Sequence, residues 1–176
     1  MEDVLVEPLY ETQTVCTWEE YQNYNKTVFK ILNRKNFLIG YGAFGGIIVI
    51  WLALVFPTMN ELYTVLRFLF FLLVFPISLF AFKVSIASGG KKQYDSDKIM
   101  QNATVYFNFW DDSIESINPK GTEKTPYLNL YKIIETQTNF YLMVSINSGY
   151  IIVKENCSSK LQVFLSEIAE QVNKKK

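Results

Sequence analysis

The residues that could bind a metal ion or carry out catalysis are few in this sequence. Asp111 and Asp112, joined by Glu115, form the nearest approach to a carboxylate site for a hard cation. Adjacent aspartates at the end of a predicted strand are more typical of a turn, so we expect no metal there. Histidine is absent, which removes the commonest general base and the commonest metal ligand.

Nucleophiles and phosphate loops also lack their usual partners. Ser148, Ser158 and Ser159 have no histidine to activate them. The segment "GYGAFGG" lies in apolar surroundings, and "SGGKK" lacks the upstream glycine of a Walker motif. Cys16 and Cys157 are too few and too far apart in sequence for a disulfide framework or a zinc site. We therefore expect a protein that is not an enzyme and that has no cofactor.

The charges leave two interpretations open. The chain has 17 Lys and Arg against 17 Asp and Glu, so nothing favours a nucleic-acid partner. Lys83, Lys91 and Lys92 follow the second of two apolar runs. They could contact anionic lipid headgroups, at about 1 kcal/mol each. Alternatively, they only orient the apolar runs in a bilayer.

Two long apolar runs dominate the middle of the chain. The first, "FLIGYGAFGGIIVIWLALVF" over 37–56, has no charge and would span about 30 Å of hydrocarbon as a helix. The second, over 62–82, carries only Arg67 and Pro76 as interruptions. Because "PTMNE" alone joins them, we predict an antiparallel transmembrane hairpin with helices at about 37–57 and 62–82. Lysines and arginines flank the hairpin but are absent from its loop, which predicts a multi-pass protein of the plasma membrane with both termini cytoplasmic.

Small residues in the first predicted helix indicate close packing. Gly42 and Gly46 form a GxxxG pair, a spacing that lets another helix approach closely. The second helix of the same hairpin could fill this groove, or two copies of the chain could form a homodimer.

The flanking segments have the patterns of regular structure. A strand is predicted within 4–17, and a helix from Trp18 to about Asn33, with Thr17 and Glu20 as a capping box. After a polar linker at 84–98, short alternating segments predict an antiparallel meander. Ser159 and Gln162 form a second capping box, which begins an amphipathic helix with apolar residues at helical spacing: Leu161, Phe164, Leu165, Ile168 and Val172. This order of elements is that of a pleckstrin-homology-like domain, an antiparallel β domain closed by a C-terminal helix.

The four letters "ETQT" occur at 11–14 and again at 135–138, in segments that otherwise differ. Both copies fall in strand-like stretches on the same side of the predicted hairpin. We therefore predict that the N-terminal strand completes the C-terminal domain, and that the hairpin is an insertion into one fold.

Four parts of the sequence carry a resemblance to a known family: "TWEEYQNYN" at 17–25, the apolar hairpin, "LYKIIETQTNFYLMVS" at 130–145 and "IIVKENCSSKLQVFLSEI" at 151–168. In these segments and in its layout the chain resembles the YcxB-like family of small bacterial membrane proteins. Val153 and Cys157 depart from the family pattern, which tends to have proline and an aromatic residue there. The resemblance implies a pleckstrin-like fold and an integral membrane location, and it supplies no catalytic residues.

These patterns predict an α+β membrane protein with four parts. They are a cytoplasmic strand and helix at 1–36, a transmembrane hairpin at 37–83, a linker at 84–98 and a YcxB-like cytoplasmic domain at 99–176. As function we expect a membrane-tethered interaction module that recruits a protein partner. The alternatives are an anionic-lipid-binding domain at the inner face of the lipid bilayer and an oligomeric transport or accessory subunit.

Overall fold

The computed structural model describes residues 7–32 and 89–174, together with the isolated positions 42, 45, 46, 50, 70 and 77. The chain divides into two units, one formed by Met1–Asn25 with Gln93–Lys176 and the other by Lys26–Lys92. In the second unit, the described residues are 26–32, 89–92 and the isolated positions, all of them helical. The first unit is discontinuous in sequence and contains the strands described below.

The first unit has two antiparallel sheets. The four-stranded sheet has the order β1 (Tyr10–Val15), β2 (Thr104–Phe109), β3 (Ser113–Asn118) and β4 (Gly121–Pro126). The three-stranded sheet has the order β5 (Lys132–Glu135), β6 (Asn139–Met143) and β7 (Gly149–Val153). The described helices are α1 (Trp18–Leu32), α2 over 89–96, and α3 (Ser159–Lys174). Short 3-10 turns occupy Tyr127–Asn129 and Lys154–Asn156.

The N-terminal strand joins the C-terminal part of the chain, as predicted. β1 pairs with β2 along its whole length, from Tyr10 opposite Phe109 to Val15 opposite Thr104. Thr12 and Thr14 of the first "ETQT" copy are buried while their neighbours are exposed. The second copy lies in the other sheet, where Glu135 ends β5 and the next three residues turn towards β6. The first copy is therefore part of a strand, whereas the second is mostly the turn between β5 and β6, and the two copies share no sheet.

The core is built from the inward-facing residues of both sheets and from one side of α3. The alternation in β2 and the helical spacing in α3 place these residues together, because side chains repeat every two residues in a strand and every 3.6 in a helix. Its fully buried members include Phe107, Phe109, Ile114, Ile133, Phe140, Leu142, Ile152, Leu161 and Leu165. Of the apolar residues predicted for α3, Leu161, Leu165, Ile168 and Val172 are buried, and Phe164 is partly buried against the core.

Two helix caps differ in detail from the prediction. The Thr17 hydroxyl accepts a hydrogen bond from the Glu20 N–H at 3.2 Å, which confirms the cap of α1. The Glu20 carboxylate does not complete a capping box, since it accepts a hydrogen bond from the Asn139 side chain of β6 instead. At α3 the cap is Ser158 rather than Ser159, because the Ser158 hydroxyl accepts from the Leu161 N–H at 3.2 Å.

The predicted fold class, a two-helix transmembrane hairpin with a pleckstrin-homology-like domain, is contradicted. So is the predicted multi-pass location in the bacterial plasma membrane. Across residues 7–32 and 89–174 and the isolated positions, no helix is long and apolar enough to cross a bilayer. A spanning helix needs about 20 mostly apolar residues, whereas α3 has 16 and α1 has 15, both with charged residues along them.

The correction has a physical reason. A hydropathy pattern measures the composition of a run, and a membrane span also requires one continuous helix of sufficient length. The segments predicted to span, at about 37–57 and 62–82, lie outside the described residues apart from the isolated positions. What the structure supports is an α+β fold with two antiparallel sheets.

Candidate binding edge and cavity

Two of the four outer strand edges meet each other. The Val153 N–H of β7 donates to the Thr14 hydroxyl of β1 at 3.3 Å, and the Thr12 hydroxyl donates to the Asn156 carbonyl at 2.8 Å. The Asn156 side chain donates in turn to the Gln13 carbonyl at 2.8 Å. These bonds join the two sheets at one corner, so β1 and β7 do not offer their edges to another strand.

A side chain of α3 covers the third edge. The Asn173 amide nitrogen donates to the Ile133 carbonyl at 2.8 Å, and the Ile133 N–H donates to the Asn173 amide oxygen at 3.2 Å. A primary amide has the same donor and acceptor as a peptide group. Asn173 therefore takes the place of a neighbouring strand beside β5.

The fourth edge, β4, is open. Asn118 pairs with Gly121 across a two-residue turn, so the next hydrogen-bonded pairs are Ser116 with Glu123 and Ile114 with Thr125. The residues between them, Thr122 and Lys124, direct their N–H and C=O groups away from β3. Across the described part of the chain, no residue hydrogen-bonds these outward backbone groups.

The turn before β4 is fixed by local bonds. The Asn118 side chain accepts from the Lys120 N–H at 2.8 Å, as is common for asparagine at the start of a turn. Gly121 has a φ of +140°, a conformation that is costly for residues with a Cβ. The register of β4 is therefore set by its own turn.

A row of polar side chains crosses the outer face of the four-stranded sheet and ends at β4. The Asn108 side chain of β2 donates to the Glu115 carboxylate of β3 at 2.9 Å. Glu115 lies opposite Lys124 in the next strand. The Lys124 ammonium also lies 4.5 Å from the centre of the Trp110 ring, a cation–π distance. The open edge therefore presents a positive charge beside its free backbone groups.

A cavity of about 520 Å³ lies in the same unit, and Thr122 and Glu123 of β4 form part of its lining. Its walls come from the junction of β1 and α1, the segment around Tyr94, the turn between β3 and β4, and the loop between β6 and β7. Cys16, Lys120 and Ser148 are among the residues that line it.

Aromatic side chains hold one wall of this cavity. The Tyr94 ring lies 5.5 Å from both Trp18 and Tyr21 between ring centres, and the Tyr24 ring lies 5.6 Å from Tyr141. The Tyr94 hydroxyl donates to the Cys16 carbonyl at 3.0 Å. Aromatic pairs at such distances stabilise beyond the area they bury. Together they fix the start of α1 against the sheets and against the end of α2.

An ion pair lies at the cavity between Lys120 and Asp97, with the ammonium 2.6 Å from the carboxylate. Both side chains are substantially exposed, at 50% and 39%, so the pair adds little to stability. Burial raises the pKa of the Cys16 thiol, the charge of Asp97 adds to this effect, and Lys120 offsets part of it. The Cys16 side chain is therefore a neutral thiol, and not a thiolate, at neutral pH.

Two tyrosine hydroxyls of the lining keep their protons to higher pH than a free tyrosine, because burial raises their pKa. Burial, reinforced by Tyr21, raises the pKa of Tyr24 to about 12. Burial also raises the pKa of Tyr150, against the hydrogen bonds of Thr125 and of the nearby Ser116. The Tyr24 hydroxyl is itself buried and has no hydrogen-bond partner among the described residues.

The residues singled out from sequence are not brought together by the structure. Lys91 and Lys92 are exposed on α2, and Lys83 lies outside the described residues. Gly42 and Gly46 are isolated helical positions, both exposed. The headgroup and helix-packing roles of these five residues stay predictions. Within the described ranges, no group of three or more His, Cys, Asp or Glu side chains is placed to hold a metal ion.

Sequence reasoning missed both the open edge and the cavity. The edge depends on which strands pair, and the cavity on distant segments that meet in space. One signal was present: Tyr94 is the only aromatic residue in the polar stretch "SGGKKQYDSDK". It is buried in the structure, within the segment predicted to be a linker, and residues 89–96 of that segment are helical.

Comparison with known proteins finds no relative, since no family model, curated protein or solved structure matches the chain. The resemblance to the YcxB-like family therefore stays a prediction.

Proposed function

We propose that the protein is an interaction module that binds an extended segment of a partner protein along the open edge of β4. The observation that carries this proposal is that three of the four outer strand edges are covered and one is open. β1 and β7 are joined to each other and β5 is covered by Asn173, whereas Thr122 and Lys124 of β4 keep outward backbone groups. An extended peptide that adds to a sheet edge forms main-chain hydrogen bonds with the outward N–H and C=O groups of the edge strand.

The chemistry of the edge defines the partner segment. The polar row Asn108–Glu115–Lys124 alternates acceptor and donor across the sheet and ends on an ammonium group. An added strand continues this alternation when it places a carboxylate opposite Lys124. We therefore propose a short β-prone segment with one Asp or Glu as the partner.

The sequence of β4 also limits pairing between the open edges of different copies of the chain. β4 is six residues long, carries Glu123 and Lys124, and ends at Pro126. Short length, charge and proline are the features that keep natural sheet edges from pairing with one another. They allow a short partner strand and disfavour a long intermolecular sheet.

The test uses the full-length protein and a displayed library of ten-residue peptides. Selected peptides are expected to contain an acidic residue among β-branched residues. On binding they should slow hydrogen exchange of the Thr122 and Lys124 amides, measured residue by residue, more than exchange elsewhere in the described sheets.

Matched variants separate backbone from side-chain effects. Lys124→Pro removes one outward N–H and should weaken binding at least tenfold, while Lys124→Glu should weaken it by repelling the acidic residue. Thr122→Ala keeps the backbone groups and should bind within twofold of the native chain. Peptides that bind equally well to Lys124→Pro, peptides that protect other strands, or a library that yields no binder would each overturn the proposal.

A further inference from the structure

The cavity of about 520 Å³ borders the open edge of β4. Phe107, Ser116 and Glu123 lie opposite one another across β2, β3 and β4, and all three line the cavity. Residues that lie opposite each other in neighbouring strands direct their side chains to the same face of the sheet. We call the face that carries Phe107 the inner face. A segment added to β4 therefore places the residue opposite Glu123 on the inner face, beside the cavity.

The hydrogen-bond pattern of β4 determines how close that residue comes. Thr122 and Lys124 have the outward N–H and C=O groups, so they form the hydrogen-bonded pairs with an antiparallel segment. Glu123 then belongs to a non-hydrogen-bonded pair, in which the Cα atoms lie only about 4.5 Å apart and the side chains are closer. The residue opposite Glu123 is therefore in direct reach of its carboxylate.

The charges of the cavity lining favour a positive side chain there. Three charged residues line the cavity, namely Asp97, Lys120 and Glu123. Lys120 and Asp97 neutralise each other, with the ammonium 2.6 Å from the carboxylate. Within residues 7–32 and 89–174, no lysine or arginine forms an ion pair with Glu123. Because Glu123 is exposed, a partner can reach this unpaired negative charge from the edge.

An aromatic ring beside Glu123 narrows the choice of positive residue. The Tyr150 ring centre lies 5.8 Å from that of Phe107, and the Tyr150 hydroxyl shares a hydrogen bond of 2.9 Å with the Thr125 hydroxyl of β4. Burial raises the pKa of Tyr150, and the charge of Glu123 contributes to the rise because it lies nearby. A guanidinium group pairs with a carboxylate through two hydrogen bonds and also stacks on aromatic rings, whereas an ammonium group is a compact point charge. This setting favours arginine over lysine.

We propose that the segment bound by β4 is antiparallel and carries an arginine directly after its acidic residue, and that this arginine enters the cavity and pairs with Glu123. The acidic residue faces Lys124 on the outer face of the sheet. Because an antiparallel segment runs against β4, the residue opposite Lys124 comes before the residue opposite Glu123. This inference rests on the proposed function of the β4 edge, and it adds the direction of the partner segment and a second recognised residue.

The experiment measures the affinity of synthetic peptides for the full-length protein by NMR titration. The peptides share a frame of alternating Thr and Val and differ only in two central residues, which are Asp-Arg, Asp-Lys, Asp-Gln, Asp-Glu or Arg-Asp from the N-terminal side. The Asp-Arg peptide should bind about tenfold more tightly than Asp-Gln, or about 1.4 kcal/mol, since glutamine cannot form an ion pair with Glu123. It should bind at least threefold more tightly than Asp-Lys and at least fivefold more tightly than Arg-Asp.

Variants of the protein test the pairing from the other side. Glu123→Gln keeps the backbone groups and should weaken Asp-Arg about tenfold while leaving Asp-Gln unchanged. Glu11→Gln is the matched control, because Glu11 is an exposed glutamate of the same sheet that lies on β1 and does not line the cavity. It should bind Asp-Arg within twofold of the native chain. Glu123→Lys should reverse the preference, so that Asp-Glu binds more tightly than Asp-Arg.

Nuclear Overhauser contacts locate the arginine side chain in the bound peptide. Its methylene protons should contact the Tyr150 ring, which lines the cavity. Tyr106 is the neighbour of Phe107 in β2, lies on the outer face and is 52% exposed. Contacts of the arginine with Tyr106 in place of Tyr150 would put the arginine on the wrong face and overturn the inference.

The outcomes separate this inference from the proposed function. Equal binding of Asp-Arg and Asp-Gln, with the Thr122 and Lys124 amides protected by both, would overturn the inference and leave the β4 edge as a binding site. Tighter binding of Arg-Asp would overturn the antiparallel direction, and equal binding of Asp-Lys would overturn the choice of arginine. If none of the peptides protects these two amides, the proposed function fails and this inference fails with it.

Discussion

The hydrogen bond between Glu20 and Asn139 provides a test of how the N-terminal segment is held to the sheets. Glu20 lies in the first turn of α1 and Asn139 begins β6, far away in sequence. The Asn139 side chain is 1% exposed and donates to the Glu20 carboxylate. Its backbone is held independently, because its N–H and C=O both bond to Thr136, at 3.0 and 2.9 Å. Replacing the Asn139 side chain should therefore leave the strand in place.

The expected magnitudes follow from burial. Glu20→Ala leaves a buried amide without its partner, which costs about 1–3 kcal/mol, so we expect about 2 kcal/mol. Asn139→Ala also removes buried volume, and we expect a similar loss. A hydrogen bond to a charged group contributes about 1.5–3 kcal/mol, and the half-buried position of Glu20 favours the lower end. The double variant should then lose only about 2.5 kcal/mol of the free energy of unfolding. This is less than the sum of the two single losses, and the difference is a coupling of about 1.5 kcal/mol between the two side chains.

The assay is urea unfolding followed by tryptophan fluorescence. A Trp51→Phe background leaves Trp18 and Trp110, which both belong to the first unit, as the only tryptophans. Glu19→Ala is the control for the helix dipole, since Glu19 is an exposed neighbour in the same turn and should cost only about 0.5 kcal/mol. If the losses of Glu20→Ala and Asn139→Ala simply add, within about 0.5 kcal/mol, the two side chains do not interact and the reasoning fails.

Two further predictions concern Gly149 and Tyr24. A Cβ added at Gly149 would lie 2.6 Å from the Leu142 carbonyl oxygen, which is backbone and cannot move cheaply. Gly149→Ala should therefore lower the free energy of unfolding by about 1–3 kcal/mol, while Gly89→Ala, with nothing within 4 Å, should be neutral or slightly stabilising; equal thermal midpoints for the two variants would contradict this. The pKa of Tyr24 is raised to about 12 by burial and by Tyr21, against about 10 in the unfolded chain. Below pH 10 both states hold this proton, and between about pH 10 and 12 only the folded state does, so stability should fall by roughly 2 kcal/mol as pH rises through that window. Alkaline urea titrations should show a smaller fall in Tyr24→Phe, and an unchanged slope would count against it.

Local sequence patterns predicted the strand and the helix that bury one face each. The two-residue alternation around Thr12 and Thr14 and the helical spacing of Leu161 and Leu165 correspond to β1 and α3. In these segments one face is buried, so the pattern of apolar residues records the structure directly. The joining of β1 to the C-terminal part of the chain was predicted from a transmembrane hairpin that the structure contradicts, and the choice of β2 as its partner was not predicted.

The candidate sites depend on tertiary relations that no local pattern carries. Whether β4 is an edge depends on Asn173 covering β5 rather than β4, a contact between residues 40 positions apart in sequence. The cavity likewise needs Tyr24, Tyr94 and Ser116 from three separate segments. The membrane prediction failed for a related reason, since the apolar content of a run does not by itself establish a helix of spanning length.

The pairing of β1 with β2 also has a consequence for how the chain folds. β1 is synthesised first, but its partner begins at Thr104, so the strand cannot pair until the segment 16–103 has been made. Closing a segment of this length lowers the conformational entropy of the chain before the contacts between β1 and β2 can stabilise the sheet. Contacts between residues distant in sequence therefore slow folding. Shortening the segment eightfold should lower that closure cost by about 1.8 kcal/mol. A chain in which β1 is moved to follow α3 would test whether the order of synthesis, rather than the final contacts, limits the rate at which the first unit forms.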